Sequence, residues 1–360
     1  MKRPSSTARG PAPEKPAEKP PAPRRSTIND VARLAGVSKK TVSRVINQSP
    51  FVKEETRQRI HELMRELSYE PDPQARGLAF RRSFLIGLIY DNPNAQFVVN
   101  AQQGVLDGVR GSGFEVVVHP CNRQSKTFLA DVAGFVQRQK LFGVVVLPPI
   151  SEDNKLKALL EEKGCRYVRI ASAPVDAPPH LMMSNDREAC AEAAVHLARL
   201  GHKRIALIAG PPGFRSRKER RDGFVEGLRA QGLDLPSDLI IDGAYTYESG
   251  MAAAKILLTR KPRPTAIFAS NDEMAAGVYR IAQDMNIGIP DDLSVVGFDD
   301  MPISSRLQPP LTTVHWPLVD MGRAAAAKLV RSLGEARPED GVSSVPSWLV
   351  VRESTAPPPR

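Results

Sequence analysis

The spacing of apolar residues changes near residue 84, from helical runs to alternating strands and helices. Between residues 26 and 70, apolar side chains recur at helical spacing in three short runs. Three such helices within 45 residues predict a small all-α bundle. The runs comprise Ile28, Val31, Ala32, Leu34 and Ala35, then Val42, Val45 and Ile46, then Ile60, Leu63, Met64 and Leu67.

From Phe84 onward, apolar strand-like runs alternate with amphipathic helices. The runs include residues 84–90, 114–120, 141–149, 204–210, 266–272 and 293–300. Apolar strands joined by crossover helices indicate parallel, doubly wound sheets that are covered on both faces. More than 250 residues of this pattern exceed the usual need of one sheet, so we expect two lobes with a break near residues 181–186. Ligands of such sheets bind beyond the carboxyl ends of the strands, which predicts a site between the lobes.

The excess positive charge lies in the first quarter of the chain. Residues 1–83 carry 18 Lys and Arg against 9 Asp and Glu, whereas the remaining residues carry 32 against 31. Residues 1–25 are rich in Pro, Lys, Ala and Glu and lack the apolar side chains of a core, which predicts a disordered basic tail. A basic segment gains affinity for nucleic acid by releasing condensed counterions. The charge pattern indicates either a head that binds a polyanion or a solvated basic tail.

Cysteine usage and hydropathy indicate the compartment. Cys121, Cys165 and Cys190 are far apart, with no CxxC or Cys/His spacing, so we expect no disulfide framework, no structural metal and no cofactor. The N-terminal region lacks the apolar run of a signal peptide, and no segment approaches the roughly 20 apolar residues of a membrane span. These features predict a soluble, cytoplasmic protein with no membrane partner.

The stretch TINDVARLAGVSKKTVSRVIN at residues 27–47 is typical of two helices joined by a tight turn. Ser26 or Thr27 can cap the first helix, and Gly36 permits the turn. Ser38 can cap a second helix whose first turn presents two lysines. In a helix-turn-helix motif the second helix enters the major groove, while hydroxyls and helix N-termini contact phosphates. The alternative is an ordinary three-helix bundle with a basic face.

This stretch, followed by VKEETRQRIHELMRELSYEPD and ARGLA, closely resembles the DNA-binding head and hinge of the lac repressor (LacI/GalR) family of bacterial transcription regulators. The resemblance implies a DNA-binding domain at residues 26–70 and a hinge at residues 71–83. Lys39 and Lys40 match the base-reading positions, where lysine can donate to guanine O6 and N7. The full set of implied DNA contacts is Thr27, Ser38, Lys39, Lys40, Thr41, Ser43, Arg44, Asn47, Arg76 and Leu78.

The hinge sequence PDPQARGLA can form a short helix, because Asp72 suits an N-cap and Pro73 suits the first helical position. So short a helix is marginal alone and should form only when docked. In the family this segment folds on DNA, pairs with its twin in the dimer and inserts a leucine, matched by Leu78, into the minor groove. The alternative is that Leu78 packs within the hinge. Asp72, where the family commonly has Asn, and Gly77 make this hinge harder to fold.

The region from about Leu85 to Arg352 resembles the family's effector domain, which is related to periplasmic sugar-binding proteins. The motifs HLARLGHKRIALIAG, RRDGF, AIFASNDEMAAG and SVVGFDD carry the resemblance. It implies a periplasmic-binding-protein-like α/β domain at residues 84–360, with two lobes, three crossovers and a small molecule between the lobes. The resemblance implies effector-binding residues at Asp186, Arg220, Tyr245, Asn271 and Asp299. Tyr90, Asp91 and Phe97 follow the first strand and face the expected cleft, which predicts that they bind the effector as well.

The matched positions imply different roles. Arg220 stands at the family's ligand-clamping arginine, and Asn271 and Asp299 stand at its hydroxyl-binding amide and carboxylate. Such forked groups can each hold adjacent hydroxyls. Tyr245 can stack on a sugar ring. The structural alternatives are helix caps for Asp186 and Asp299, a surface ion pair for Arg220 and core packing for Tyr245.

These features predict a sequence-specific DNA-binding transcriptional regulator, a repressor of a carbohydrate uptake or catabolism operon that is controlled by a sugar or sugar derivative. A homodimer on a near-palindromic double-stranded DNA operator is expected, because one head makes too few contacts. The C-terminus has no leucine heptads, which favours a dimer over a tetramer. A nucleobase or other metabolite stays an alternative ligand, and the sign of regulation stays open.

Two other classes of protein account for these residues less well. A periplasmic-type sugar-binding protein without a DNA role would account for the body but leaves the head unexplained. An enzyme is disfavoured, because the sequence shows no GxSxG, no P-loop, no metal-spaced His pair and no GxGxxG opening a strand-helix unit.

Overall fold

A computed structural model describes residues 26–46, 51–69, 83–92, 94–332 and 343–359. The chain divides between residues 81 and 82 into two compact units. Several predicted features lie outside the described residues, namely the tail at 1–25, all but the last residue of the hinge at 71–83, and the DNA contacts Asn47, Arg76 and Leu78.

The first unit contains the three predicted helices, α1 (Ile28–Ala35), α2 (Lys39–Ile46) and α3 (Glu54–Glu66). Their core consists of the buried side chains of Val31, Ala32, Ala35, Val42, Val45 and Ile60. Leu34 shares the helical spacing but is 42% exposed. At about 100° per residue it lies off the face that Val31 and Ala35 form.

The second unit contains two six-stranded sheets flanked by helices. Their orders are β11-β5-β4-β3-β1-β2 and β12-β10-β9-β8-β6-β7, which define lobe 1 and lobe 2. The strands are β1 (Leu85–Tyr90), β2 (Glu115–Pro120), β3 (Gly143–Val146), β4 (Arg166–Ala171), β5 (Leu181–Met183), β6 (Ile205–Ala209), β7 (Ile240–Asp242), β8 (Ala266–Ala269), β9 (Ser294–Asp299), β10 (Thr312–His315), β11 (Ser343–Ser344) and β12 (Trp348–Val350). The helices are α4 (Ala95–Val109), α5 (Phe128–Gln139), α6 (Asn154–Glu162), α7 (Asp186–Arg199), α8 (Arg215–Arg229), α9 (Tyr247–Leu258), α10 (Asp272–Asp284) and α11 (Leu318–Arg331).

The sheets have the parallel topology that the sequence predicts. Within the described ranges every strand pair is parallel except β10 with β12. The central strands β3, β6, β8 and β9 are buried along their whole length, because helices cover both faces. None of the described helices is long and apolar enough to cross a lipid bilayer.

The chain passes between the lobes three times, as the resemblance implies. It crosses between β5 and α7, between β10 and α11, and between β11 and β12, because α7 packs in lobe 2 and α11 packs in lobe 1. The first crossing falls at residues 184–185, inside the predicted break. Hydrogen bonds join the crossings, since Trp316 Nε1 donates to Ser184 Oγ (2.8 Å) and Ser347 N donates to Asn185 Oδ1 (2.6 Å). The predicted two-lobed architecture is confirmed.

Glycines allow α4 and α11 of lobe 1 to pack backbone against backbone. A Cβ atom added at Gly104 would lie 2.1 Å from Val319 O, and one at Gly108 would lie 2.4 Å from Arg323 O. Both neighbours are main-chain atoms, so the helices would have to move apart.

We expect Gly104→Ala to lower the free energy of unfolding by about 1–3 kcal/mol through overpacking. The matched control is Gly134→Ala in α5, where the added Cβ would meet only the flexible guanidinium of Arg138. Because alanine favours the helix, this control should be neutral or raise stability by up to about 1 kcal/mol. Urea denaturation followed by circular dichroism measures both, and equal effects would contradict the packing argument.

Candidate functional site

The first helix of the head begins and ends at the residues that the sequence predicts. The backbone N–H and the hydroxyl of Thr27 both donate to Asp30 Oδ2, at 3.0 and 2.7 Å. The helix ends at Gly36, whose φ of 66° lies in the left-handed region that glycine adopts without strain. Helix α2 starts at Lys39, directly after Ser38.

Helix α2 buries one face and exposes a basic, hydroxyl-bearing face. Ser38 Oγ accepts a hydrogen bond from Thr41 N (3.1 Å) and so caps the helix. Val42 and Val45 are fully buried, which leaves the lysines of the first turn exposed. Seven of the predicted DNA contacts are described, and all are exposed or half-buried: Thr27, Ser38, Lys39, Lys40, Thr41, Ser43 and Arg44. Such a face is suited to contact phosphates and base edges.

A cavity of about 650 Å³ lies between the two lobes of the second unit. It lies beyond the carboxyl ends of the strands, where parallel α/β sheets bind ligands. Seven of the eight predicted effector residues line it, namely Tyr90, Asp91, Phe97, Arg220, Tyr245, Asn271 and Asp299. The fold therefore brings together residues as far apart in the chain as Tyr90 and Asp299.

Arg220 is the central charged group of this cavity. Its Nε donates to Asp186 Oδ2 (3.0 Å), its Nη1 donates to Ser270 O (2.7 Å), and Nη1 lies 3.7 Å from Asp299 Oδ1. Its guanidinium carbon lies 3.5 Å from the centroid of the Phe298 ring. Burial alone would lower the pKa of Arg220, but the neighbouring carboxylates, Asp186 foremost, raise it. The guanidinium stays charged and is fixed in orientation.

Asp186 lies beneath the cavity wall and has no exposed surface. It accepts hydrogen bonds from Ser172 Oγ (2.8 Å), Trp316 Nε1 (3.1 Å), Ser184 Oγ and Arg220. A ligand would have to displace these donors to reach it. The expected contact between Asp186 and a ligand stays a prediction. In the structure, the hydrogen bond from Arg220 Nε to Asp186 Oδ2 fixes the orientation of the arginine.

Asp299 and Tyr245 adopt backbone conformations that are uncommon for residues other than glycine. Their φ angles are 109° and 61°, and such strain is concentrated at functional sites in proteins. Gly210 makes room for Tyr245, because a Cβ there would lie 2.2 Å from the tyrosine ring. Burial raises the pKa of Asp299 to about 7, even though the Arg220 charge opposes the shift. Burial also raises the pKa of the Tyr245 hydroxyl.

Asn271 caps a helix and anchors Tyr245 while facing the cavity. Its Oδ1 accepts from Met274 N (3.0 Å) at the start of α10, and its Nδ2 donates to Tyr245 O (3.0 Å). An amide oxygen has a second lone pair and an amide nitrogen a second hydrogen. Asn271 can therefore hold a ligand hydroxyl without losing its structural bonds.

Sequence reasoning missed part of the cavity wall. The residues it did not identify include Trp316, Phe214, Ser172, Ser216, Asn122, Arg123 and Gln124. The last three directly follow β2, so the strand-end rule that indicates Asp91 after β1 could have found them. Trp316 lies in a crossover, where its ring stacks on Phe97 with centroids 5.5 Å apart. No local pattern indicates that contact.

The described residues offer little for metal or thiol chemistry. They contain no group of three or more His, Cys, Asp or Glu that could hold a metal ion. Burial raises the pKa of Cys121 and of Cys165 to about 12, so both thiols stay protonated at neutral pH. The amide, carboxylate and guanidinium groups of the cavity suit hydrogen bonds to ligand hydroxyls.

Comparison with known proteins agrees with both units. Residues 27–72 match the model of the bacterial regulatory proteins of the lacI family, and residues 194–355 match a periplasmic binding protein-like domain. The HTH-type transcriptional regulator DegA of Bacillus subtilis (strain 168) is 33% identical over 340 residues, which cover 92% of this chain and 99% of DegA.

Two solved structures resemble most of the chain, including both units. The complex of the transcriptional regulator CelR with cellobiose is 32% identical, has a TM-score of 0.69, and covers 92% of this chain and 100% of its own. The lac repressor dimer bound to operator and the anti-inducer ONPF is 27% identical, with a TM-score of 0.75 and the same coverage of 92% and 100%.

The helix-turn-helix head and the two-lobed body define a DNA-binding transcriptional regulator with a periplasmic-binding-protein-like domain. The chain belongs to the LacI family of bacterial transcriptional regulators, as its motifs predict. This is a family of regulators rather than of enzymes.

The Arg220–Asp186 pair generates a prediction on stability. Asp186→Asn leaves a buried guanidinium without its closest countercharge, so we expect the free energy of unfolding to fall by about 3–5 kcal/mol. The control is Asp284→Asn, which breaks the exposed pair with Arg280 (3.2 Å) and should cost less than about 1 kcal/mol. Urea denaturation measures both, and similar losses would refute a special role for Asp186.

The pKa of Asp299 generates a prediction on pH. Burial raises the pKa of Asp299 from 3.8 to about 7 in the folded protein. Between these two pH values the folded protein therefore keeps a proton on Asp299 that the unfolded chain has released. The contribution of Asp299 to stability therefore falls as the pH rises from about 4 to 7 and is constant above that range. In Asp299→Asn we expect the free energy of unfolding to lose this decrease between about pH 4 and pH 7. Urea denaturation at several pH values across that range measures the slope. The exposed Gln283→Asn, which alters no titratable group, is the control and should keep the wild-type slope.

Proposed function

We propose that the protein represses an operon for carbohydrate uptake or catabolism, and that a sugar or sugar derivative in the interlobe cavity controls its binding to DNA. The observation that carries this proposal is the convergence of Arg220, Asn271 and Asp299 with aromatic rings in one cavity. The three polar groups can hold adjacent hydroxyls, and aromatic rings pack against the apolar faces of sugars. The cellobiose complex of CelR supports a sugar ligand.

Helix α2 is the proposed recognition helix. Lys39 and Lys40 contact base edges, while Thr27, Ser38 and Thr41 contact phosphates, with Ser43 and Arg44 beside them. A homodimer presents two such helices to a near-palindromic operator, because a two-fold protein matches an inverted repeat. The lac repressor dimer on its operator supports this arrangement. The protein would act on bacterial DNA in the cytoplasm.

The effector acts by favouring one arrangement of the two lobes over another. A ligand can shift such an equilibrium only by its difference in affinity for the two arrangements. The cavity is linked to the crossovers through Trp316, which lines it and also donates to Ser184 Oγ and Asp186 Oδ1. A ligand that moves this indole also moves the connections between the lobes.

Selection of bound sites from a random double-stranded DNA library by the full-length protein, at near-physiological salt, tests the proposal. We expect enrichment of an inverted repeat with a fixed centre, and release of that DNA on addition of the cognate sugar. Lys39→Ala and Lys40→Ala should each relax the preference at one base position, at a cost of about 1–3 kcal/mol.

Arg59→Ala is the matched control, because it removes one exposed positive charge from α3 of the head. It should lower affinity for all sequences alike and keep the preferred site. The proposed role of α2 fails if the two lysine variants keep the wild-type site preference. The regulator function on DNA fails if no sequence is enriched.

A further inference from the structure

The cavity extends across four neighbouring strand ends in each lobe. In lobe 1 these are the ends of β4, β3, β1 and β2, and in lobe 2 those of β9, β8, β6 and β7. The lining residues at these ends are Ser172, Pro148, Asp91 and Asn122 in lobe 1, and Asp299, Asn271, Pro211 and Ala244 in lobe 2. Neighbouring strands lie about 4.8 Å apart, so each row spans about 14 Å. One sugar ring covers little more than one strand spacing.

The volume of the cavity admits a ligand larger than one sugar ring. At about 650 Å³ it lies within the range of about 300–1,000 Å³ that is usual for pockets of drug-sized ligands. A single hexose, with only about a dozen non-hydrogen atoms, would leave part of this space to solvent.

The inner and outer ends of the cavity are joined by a row of contacting side chains. Arg220 lies at the inner end, near the crossovers, with its guanidinium carbon 5.7 Å from the Tyr245 ring centroid. The Tyr245 ring lies 6.1 Å from the Phe214 ring, centroid to centroid. The Arg123 guanidinium carbon lies 4.1 Å from the Phe214 centroid at the outer end, where β2 is the edge strand. Two adjacent aromatic rings thus connect two cationic groups.

The outer pair, Arg123 and Phe214, is held in place from both lobes. Asp91 Oδ2 accepts from Arg123 N (3.1 Å) and lies 3.7 Å from Arg123 Nε. Glu152 of lobe 1 accepts at Oε2 from Arg215 N (3.0 Å) in lobe 2, one residue after Phe214. A pair whose position is fixed in advance loses little conformational entropy on binding.

We propose that Phe214 and Arg123 form an outer subsite for the second ring of a disaccharide, whose first ring contacts Arg220, Asn271 and Asp299. The inference rests on the proposed sugar-sensing function and deepens it by specifying a two-ring ligand. Phe214 offers an aromatic surface to the apolar face of a pyranose. The N–H groups of Arg123 can donate to hydroxyls of the same ring. A monosaccharide contacts only the inner residues.

The test compares disaccharides with their own monosaccharides on the full-length protein. The probes are cellobiose and maltose with glucose, and lactose with galactose and glucose, measured by titration calorimetry. Trp316 lines the cavity and the chain has only two tryptophans, so its fluorescence in a Trp348→Phe background gives a second readout. We expect one disaccharide to bind about tenfold more tightly than either of its monosaccharides. Phe214→Ala should weaken that disaccharide about tenfold and change monosaccharide affinity less than about twofold.

Arg123→Ala is the second variant, and it keeps the test decisive if Phe214→Ala does not fold. The matched control is Arg166→Ala, which removes a similar contact outside the cavity, with the guanidinium carbon 4.7 Å from the Phe142 centroid. It should leave every affinity unchanged. Equal affinity for a disaccharide and its monosaccharide, or an equal loss for both in the Phe214 and Arg123 variants, overturns the outer subsite but leaves sugar sensing intact. Binding of none of the probes by the wild-type protein overturns both.

Discussion

Arg220 and Asp186 form a buried ion pair where the cavity meets the connections between the lobes. Removing two charges from water costs several kcal/mol per ion, and only close contact and further hydrogen bonds offset that cost. Asp186 obtains those bonds from Ser184 and Trp316, which belong to two different crossovers. The same network therefore fixes the orientation of the arginine and the way the lobes are joined. A ligand that reorients Arg220 would therefore disturb hydrogen bonds to residues of two crossovers.

A second network fixes the strained end of β9. Asp299 and Asp300 have φ angles of 109° and 56°. Asp300 accepts from His315 Nδ1 (2.9 Å), just before the second crossover, and from Arg352 Nη2 (2.6 Å), just after β12. Burial alone would raise the pKa of Asp300, but these two hydrogen bonds lower it to about 2. Asp300, the neighbour of Asp299, is thus held by one residue that precedes the second crossover and by one that follows β12.

The two units place their cationic side chains differently, because the lysines of α2 are exposed to solvent and Arg220 is buried. The lysines of α2 are exposed, which suits the proposed contact with DNA, because attraction to phosphates acts over about a Debye length and releases counterions. Arg220 is only 5% exposed, which suits the proposed binding of a neutral ligand, because hydrogen bonds are stronger where water is excluded. The excess positive charge of residues 1–83 agrees with the proposed role of the first unit.

The sequence by itself determined the features that depend on short segments. The cap at Thr27, the turn at Gly36 and the exposed start of α2 follow from residues of the same two short helices. The family resemblance of the motifs around Asn271 and Asp299 identified these two residues. Only the tertiary structure decided that Asp186 is covered and that Phe214 and Trp316 line the cavity. These outcomes depend on contacts such as Trp316 with Ser184, which are 132 residues apart. Periodicity and capping report neighbours along the chain, whereas burial of a charge depends on which distant segments pack over it.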